Sequence, residues 1–153
     1  MSYSLQFYSL PPHQIATPDQ DADAVAAFIE QHGKPVGEIY FRAAESLLYF
    51  EALEALTGLS ATPLYSAPLF GVEPGEEDPI FGGLDRAATE RLIPALQSII
   101  TNPDQKMQNG LSPNETAKSY TLPPESFLER TSEMIPILVE CLADGGRPVT
   151  LYS

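Results

Sequence analysis

Strict alternation of apolar and polar residues at both ends of the chain limits its fold more than any other feature. Tyr3, Leu5 and Phe7 alternate with serine and glutamine, and residues 147–152 alternate in the same way with β-branched residues among them. A period of two residues predicts a β-strand with one buried face. Helical periodicity fills much of the sequence between these strands. We therefore predict an α+β fold in which a small antiparallel sheet includes both terminal strands, with about four helices packed on it.

Apolar residues recurring every three or four positions predict the helices. We expect a first helix to begin within DQDADAVAAFIE, residues 19–30, a longer one over residues 38–56, a third over residues 86–100 behind an Asp85 cap, and a last one over residues 123–144. Pro94 and Pro136 fall inside the last two helices. Interior prolines bend helices, which favours helices wrapped over a curved sheet.

Residues 59–84 break this periodicity with four prolines and four glycines. We interpret them as a long irregular excursion from a single domain spanning residues 1–153, since a chain of this length forms one core. Apolar residues within the excursion predict that it packs against the domain. Long ordered loops in small domains are often functional. A second proline-rich connection is expected over residues 102–122.

The stretch from Asp19 to Glu30 also has the carboxylate spacing of a calcium loop, with Asp21 and Asp23 between them. Such a loop needs a glycine at its sixth position, where this chain has Ala24, and it needs a helix before it. Carboxylates in the first turn of a helix explain the same residues, because they accept hydrogen bonds from its free amides. We therefore predict a helix start and no calcium site.

Charge is the strongest global property of the chain, with 8 basic against 21 acidic residues and a formal charge of −13. Nucleic-acid binding requires a basic surface against the phosphates, so this charge argues against that class of function. An acidic surface attracts basic proteins. We expect a basic protein as partner and leave the oligomeric state open.

The acidic stretch VEPGEEDPIFGG in the excursion is the predicted site. A partner-binding role would use its carboxylates for attraction and neighbouring aromatic rings for affinity, involving Glu73, Glu76, Glu77, Asp78, Phe70 and Phe81. Two other interpretations stay open at this point. The carboxylates are simply solvated, or paired carboxylates act in acid–base or metal chemistry.

Other catalytic or metal-binding patterns are absent from the sequence. His13 and His32 lack zinc-ligand spacing, and Cys141 falls on an apolar helical stripe that predicts an inert buried thiol. Gly82 and Gly83 precede a helix without a phosphate-binding motif, which indicates a tight loop. We predict no catalytic residue, metal or cofactor.

Neither a signal peptide nor a membrane-spanning run of apolar residues is present, so we expect a cytoplasmic protein that does not contact membranes. The single cysteine excludes an intrachain disulfide, which agrees with that compartment.

Three stretches resemble a group of small bacterial proteins of unknown function: MSYSLQFYSL, FGGLDRAATERLIPAL and SFLERTSEMIPILVECLADGGRPVTLYS. The resemblance covers about half of the chain. It implies an α+β fold with paired terminal strands and brings no catalytic residues. Some small acidic proteins of this general kind look like immunity partners of bacterial toxins.

Two functions follow from these observations. The first is a non-enzymatic acidic domain that binds, and thereby inhibits or neutralises, a basic protein. The alternative is a small carboxylate-dependent hydrolase or metabolite-binding enzyme, with or without a divalent metal.

Overall fold

The computed structural model describes residues 2–12, 21–42, 45–76, 79–102 and 124–152. Its helices and strands are β1 (Ser2–Leu10), α1 (Ala22–His32), β2 (Lys34–Arg42), α2 (Glu45–Thr57), β3 (Ile80–Gly83), α3 (Arg86–Thr101), α4 (Pro124–Cys141) and β4 (Arg147–Tyr152). The connection predicted over residues 102–122 lies outside the described residues, apart from Asn102. None of the described helices combines the length and the apolar composition that crossing a bilayer requires.

The four strands form one antiparallel sheet in the order β2-β1-β4-β3. The first and last strands lie side by side at its centre, with Leu5 opposite Tyr152 and Leu10 opposite Arg147. The predicted α+β class and the predicted inclusion of both terminal strands are therefore confirmed.

Each face of the sheet carries its own core, because successive side chains of a strand point to opposite faces. Leu5, Phe7, Ile39 and Phe41 lie in the main core, which α2, α3 and α4 cover. The second core lies on the other face beneath α1 and a turn of the excursion, and it includes Tyr8, Leu10, Phe81, Val149 and Leu151.

Two aspartates begin the helices where the sequence predicted. The Asp21 carboxylate accepts a 2.8 Å hydrogen bond from the Ala24 amide at the start of α1. Asp85 accepts one of 2.7 Å from the Ala88 amide at the start of α3. The carboxylate predicted for the helix start thus occupies the N-cap position, while Asp19 lies outside the described residues.

Helices α3 and α4 run without a break through Pro94 and Pro136. Both prolines are exposed, as are Glu90 and Ser132 four residues earlier. The carbonyls left without an amide donor therefore lie on the solvent side, where water satisfies them, and the penalty for an interior proline is reduced.

The prediction of one helix over residues 38–56 is wrong in its first part, where the chain forms β2. Helix α2 begins only at Glu45. Ile39 and Phe41 are buried while Glu38 and Tyr40 are exposed, which is the alternation of a strand with one covered face. The apolar positions of β2 and α2 also fit one helical spacing, and pairing with β1 decides between the two structures.

The excursion predicted over residues 59–84 contains a strand at its end, since residues 80–83 form β3. Gly82 and Gly83 therefore lie in the sheet instead of the predicted tight loop. A side chain at Gly82 would collide with the Pro63 carbonyl oxygen, because the helical turn Thr62–Leu64 lies directly on the strand. Glycine in a strand often marks such a close approach of backbone.

We predict that Gly82→Ala lowers the free energy of unfolding by about 1–3 kcal/mol, because the added methyl group forces the Pro63 carbonyl away from the strand. Urea unfolding followed by circular dichroism measures the change. Gly37→Ala is the matched control, since its methyl group would meet only the Ile137 side chain, which can rotate. Equal losses in both variants would contradict the close contact over β3.

Candidate functional site

The excursion, here residues 59–79, wraps around the outer edge of β3. Its first part lies on the main-core face, where the Thr150 hydroxyl donates a 2.6 Å hydrogen bond to the carbonyl of buried Leu64. The Ala67 amide then donates 3.0 Å to the Phe81 carbonyl of β3. The chain next reaches the other face of the sheet, so the excursion covers this edge strand from both faces.

A tight turn from Leu69 to Val72 holds the excursion on the second core. These two residues exchange backbone hydrogen bonds of 2.9 and 3.0 Å, and both are buried. Between them Phe70 has φ 55° and Gly71 has φ 76°. Positive φ at both central residues matches the twist of a two-residue hairpin.

Phe70 is held in this unusual conformation by its ring contacts. The ring lies edge-on against Phe28 of α1, with centroids 5.2 Å apart. Arg147 is the first residue of β4, and its guanidinium lies 6.0 Å from the centroid of the Phe70 ring. Phe70 is therefore half-buried and joins the turn to a helix and a strand.

The acidic part of the predicted site follows this turn. Glu73 and Glu76 are exposed, and neither forms an ion pair with a described basic residue. A 2.8 Å hydrogen bond from the Gly75 amide to the Pro79 carbonyl closes the short loop that contains Glu76. Glu77 and Asp78, which were predicted for the same site, lie outside the described residues.

Phe81 does not lie on the surface with these carboxylates. It is fully buried in the second core as part of β3. The structure therefore brings together Phe70, Glu73 and Glu76, whereas Phe81 supports the base of the excursion and has no surface to offer a partner.

An acidic stripe on α4 was not predicted. It consists of the exposed residues Glu125, Glu129, Glu133 and Glu140. Arg130 lies 3.9 Å from Glu129, and Lys34 lies 3.5 Å from Glu140. The spacing of four, four and seven residues places these acids on neighbouring positions of one helix and was visible in the sequence.

A second missed feature is the part of the sheet surface around Glu38. Its carboxylate accepts hydrogen bonds from the Tyr40 hydroxyl at 2.6 Å and the Ser4 hydroxyl at 2.8 Å. These hydrogen bonds, chiefly that from Tyr40, lower the pKa of Glu38, so it is charged at neutral pH. An open pocket of about 370 Å³ lies beside it, between β1 and β2, lined by Gln6, Phe7, Tyr8, Pro35, Val36, Gly37 and Glu38. This surface was not predicted because residues 38–42 were assigned to a helix instead of to β2.

Cys141 is buried, as predicted for an inert thiol. Its Sγ atom lies 3.7 Å from the Tyr8 carbonyl oxygen. Burial, with a smaller contribution from the charge of Glu140, raises the pKa of the thiol from 9.0 to about 12. The thiol is therefore protonated at neutral pH and a poor nucleophile.

The two histidines do not assemble a metal site with described residues. His32 packs on Phe28 in the last turn of α1, with ring centroids 4.6 Å apart, and His13 lies outside the described residues. Within the described ranges, no three His, Cys, Asp or Glu side chains are placed to hold a metal ion together.

We predict that stability falls as pH rises above about 9, because the unfolded chain then releases the Cys141 proton while the folded chain keeps it. Cys141→Ala should flatten this slope between about pH 9 and pH 10, even though the smaller side chain lowers stability at every pH. Urea unfolding of both proteins across this range measures the slopes. Tyr49, whose pKa burial also raises, has an ordinary value of 10.0 and contributes mainly at higher pH. Identical slopes would show that the folded thiol ionises normally.

Comparison with models of known protein families, with curated proteins and with solved structures found no match.

Proposed function

We propose that this protein is a non-enzymatic binding domain that inhibits or neutralises a basic protein, and that it contacts this partner through the acidic excursion. The observation that carries the proposal is the exposure of Glu73 and Glu76 without a basic neighbour among the described residues. Both carboxylates are exposed and have no ion-pair partner among the described residues, on a loop whose backbone is hydrogen-bonded to itself and to β3.

A loop held in this way loses little conformational entropy when a partner binds. The turn at Leu69–Val72 and the Gly75 to Pro79 hydrogen bond fix the backbone on either side of Glu73. Phe70, a half-buried residue of this turn, supplies apolar contact area. In this proposal the charges of Glu77 and Asp78, which follow Glu76 in the sequence, add to the attraction.

The overall charge supports the same class of partner. A formal charge of −13 repels nucleic acid and accelerates the approach of a basic protein. Several described basic residues already contact acids or rings of this chain, including Lys34, Arg86, Arg130 and Arg147. We place this function in the cytoplasm, since the one cysteine of the chain is a buried thiol.

The proposal predicts that neutralising the excursion slows association with the partner. We expect Glu73→Gln, Glu76→Gln, Glu77→Gln and Asp78→Asn together to lower the association rate by about tenfold or more at low salt, because steering by charge is lost. Pull-down from a lysate of the source cells identifies the partner, and surface plasmon resonance at low and high salt then measures the rates.

The matched control neutralises the same number of charges on α4, with Glu125→Gln, Glu129→Gln, Glu133→Gln and Glu140→Gln. Both variants have the same net charge, so a difference between them reports the position of the site. Equal rates for the two variants would assign the attraction to net charge alone and overturn the proposed site. Failure to find any basic partner at low salt would overturn the proposed function.

A further inference from the structure

Only one of the two edges of the sheet is covered by residues that the structure describes. The outer edge of β3 receives the Ala67 amide and is wrapped by the excursion. Strand β2 forms the other edge, and within the described ranges its one pairing partner is β1. Among those residues, no backbone hydrogen bond from another segment reaches β2. With respect to the described chain, this edge leaves alternate amides and carbonyls to another strand.

The second half of β2 is the part of this edge that can accept a strand. In the first half, Pro35 lacks an amide hydrogen, and the pairing with β1 shifts by one residue at Val36. Residues 38–42 then follow a regular register with β1. Five residues are the usual length of a strand in a sheet, so this segment is long enough to pair.

Three exposed side chains of this segment share one face of the sheet, namely Glu38, Tyr40 and Arg42. They alternate with Ile39 and Phe41, which are buried in the main core. Tyr40 is 56% exposed, a large fraction for an aromatic side chain on a strand. Any strand added to this edge would therefore lie beside an acid, an aromatic ring and a base in that order.

The acid and the base of this face do not pair within one chain. Four residues of extended strand separate the Cα atoms of Glu38 and Arg42 by about 13 Å. The Glu38 carboxylate accepts hydrogen bonds from the Tyr40 and Ser4 hydroxyls instead. Arg42 forms no ion pair with a described acid. Each end of the segment thus carries an exposed charge of opposite sign.

Antiparallel pairing of the segment with itself brings these opposite charges together. A two-fold axis at Tyr40 places residue 38 of one copy opposite residue 42 of the other. Glu38 then faces Arg42 of the second copy on each side of the axis, with about 5 Å between the Cβ atoms of directly opposed residues. The two Tyr40 rings meet at the axis, where an aromatic cross-strand pair is favourable. The edge therefore complements a second copy of itself.

Helix α4 contributes charges of both signs on the other face of the same edge. Ile137 lies against Gly37. The Arg130 guanidinium lies 5.9 Å from the Phe41 ring centroid, so the helix runs antiparallel to β2. Between these two contacts, the middle of the segment is level with a point between Arg130 and Glu133. The two-fold axis thus sets the exposed Glu133 of one copy about level with Arg130 of the other.

We propose that the protein forms a two-fold symmetric dimer in which residues 38–42 of β2 pair antiparallel with the same residues of a second copy. The two sheets then form one sheet of eight strands, four from each copy. Both excursions lie at its outer ends, so the dimer leaves them uncovered. The formal charge of −13 opposes association at long range, and physiological salt screens this repulsion beyond about 8 Å.

Sedimentation velocity of the full chain at about 0.15 M salt tests the oligomeric state. We expect a species with twice the mass of one chain to appear as the protein concentration rises. A monomer at every concentration into the millimolar range would overturn the proposal.

Charge reversal separates paired charges from net charge. Glu38→Arg makes the protein less acidic, so net repulsion alone predicts tighter association. The proposal predicts a dimer weaker by about tenfold or more, because the new guanidinium faces Arg42 of the second copy. The matched control is Glu73→Arg, which makes the same change of charge on the excursion and should not weaken the dimer. Equal dissociation constants for the two variants would overturn the pairing of these charges.

A mixture of variants tests which residues face each other. Arg42→Glu should also weaken the dimer, because two carboxylates then lie opposite each other. An equimolar mixture of Glu38→Arg and Arg42→Glu chains should form a heterodimer at least tenfold tighter than either homodimer, since every facing pair is then of opposite charge. This rescue also shows that both variants fold. A mixture that associates no better than the single variants would overturn the proposed register.

Hydrogen exchange locates the contact on the backbone. Raising the protein concentration through the dissociation constant should slow exchange of alternate amides within residues 38–42 and leave the excursion amides unchanged. A dimer without this protection would use another surface and would overturn the proposal. None of these measurements involves the basic partner of the excursion, so failure of the proposed function would leave their results intact.

Discussion

Strands β1 and β4 lie side by side in the middle of the sheet, and their pairing joins segments that nearly the whole chain separates. Such a contact closes a long loop, whose entropic cost grows only slowly with length. The pair supplies the template for both outer strands, with β2 added to β1 and β3 to β4. It also supplies both cores, since Leu5 and Phe7 point to one face while Tyr8 and Val149 point to the other. Without the pairing of β1 and β4, both cores would lack the central strands on which the helices and the excursion pack.

Local signals were enough to predict the features that neighbouring residues determine. Alternation located β1 and β4, and a carboxylate before an apolar stripe located the starts of α1 and α3 at Asp21 and Asp85. Strands β2 and β3, which come from the middle of the sequence, could not be predicted from neighbouring residues, because their pairing partners are distant in the chain. Strand β2 has apolar positions that also fit a helix, and β3 contains two glycines that give it little intrinsic preference for a sheet. Both become strands because β1 and β4 offer them partners.

The same difference explains what was predictable about the candidate site. The charge of Glu73 and Glu76 follows from the sequence alone, because such residues stay on the surface of a loop. The position of Phe81 depends on β3, so its burial was not foreseeable without that strand. Glu38 belonged to a predicted helix, and its hydrogen bonds with Tyr40 and Ser4 exist only because β2 pairs with β1. Because β2 was assigned to a helix, the surface that Glu38 forms with Tyr40 and Ser4 was not predicted.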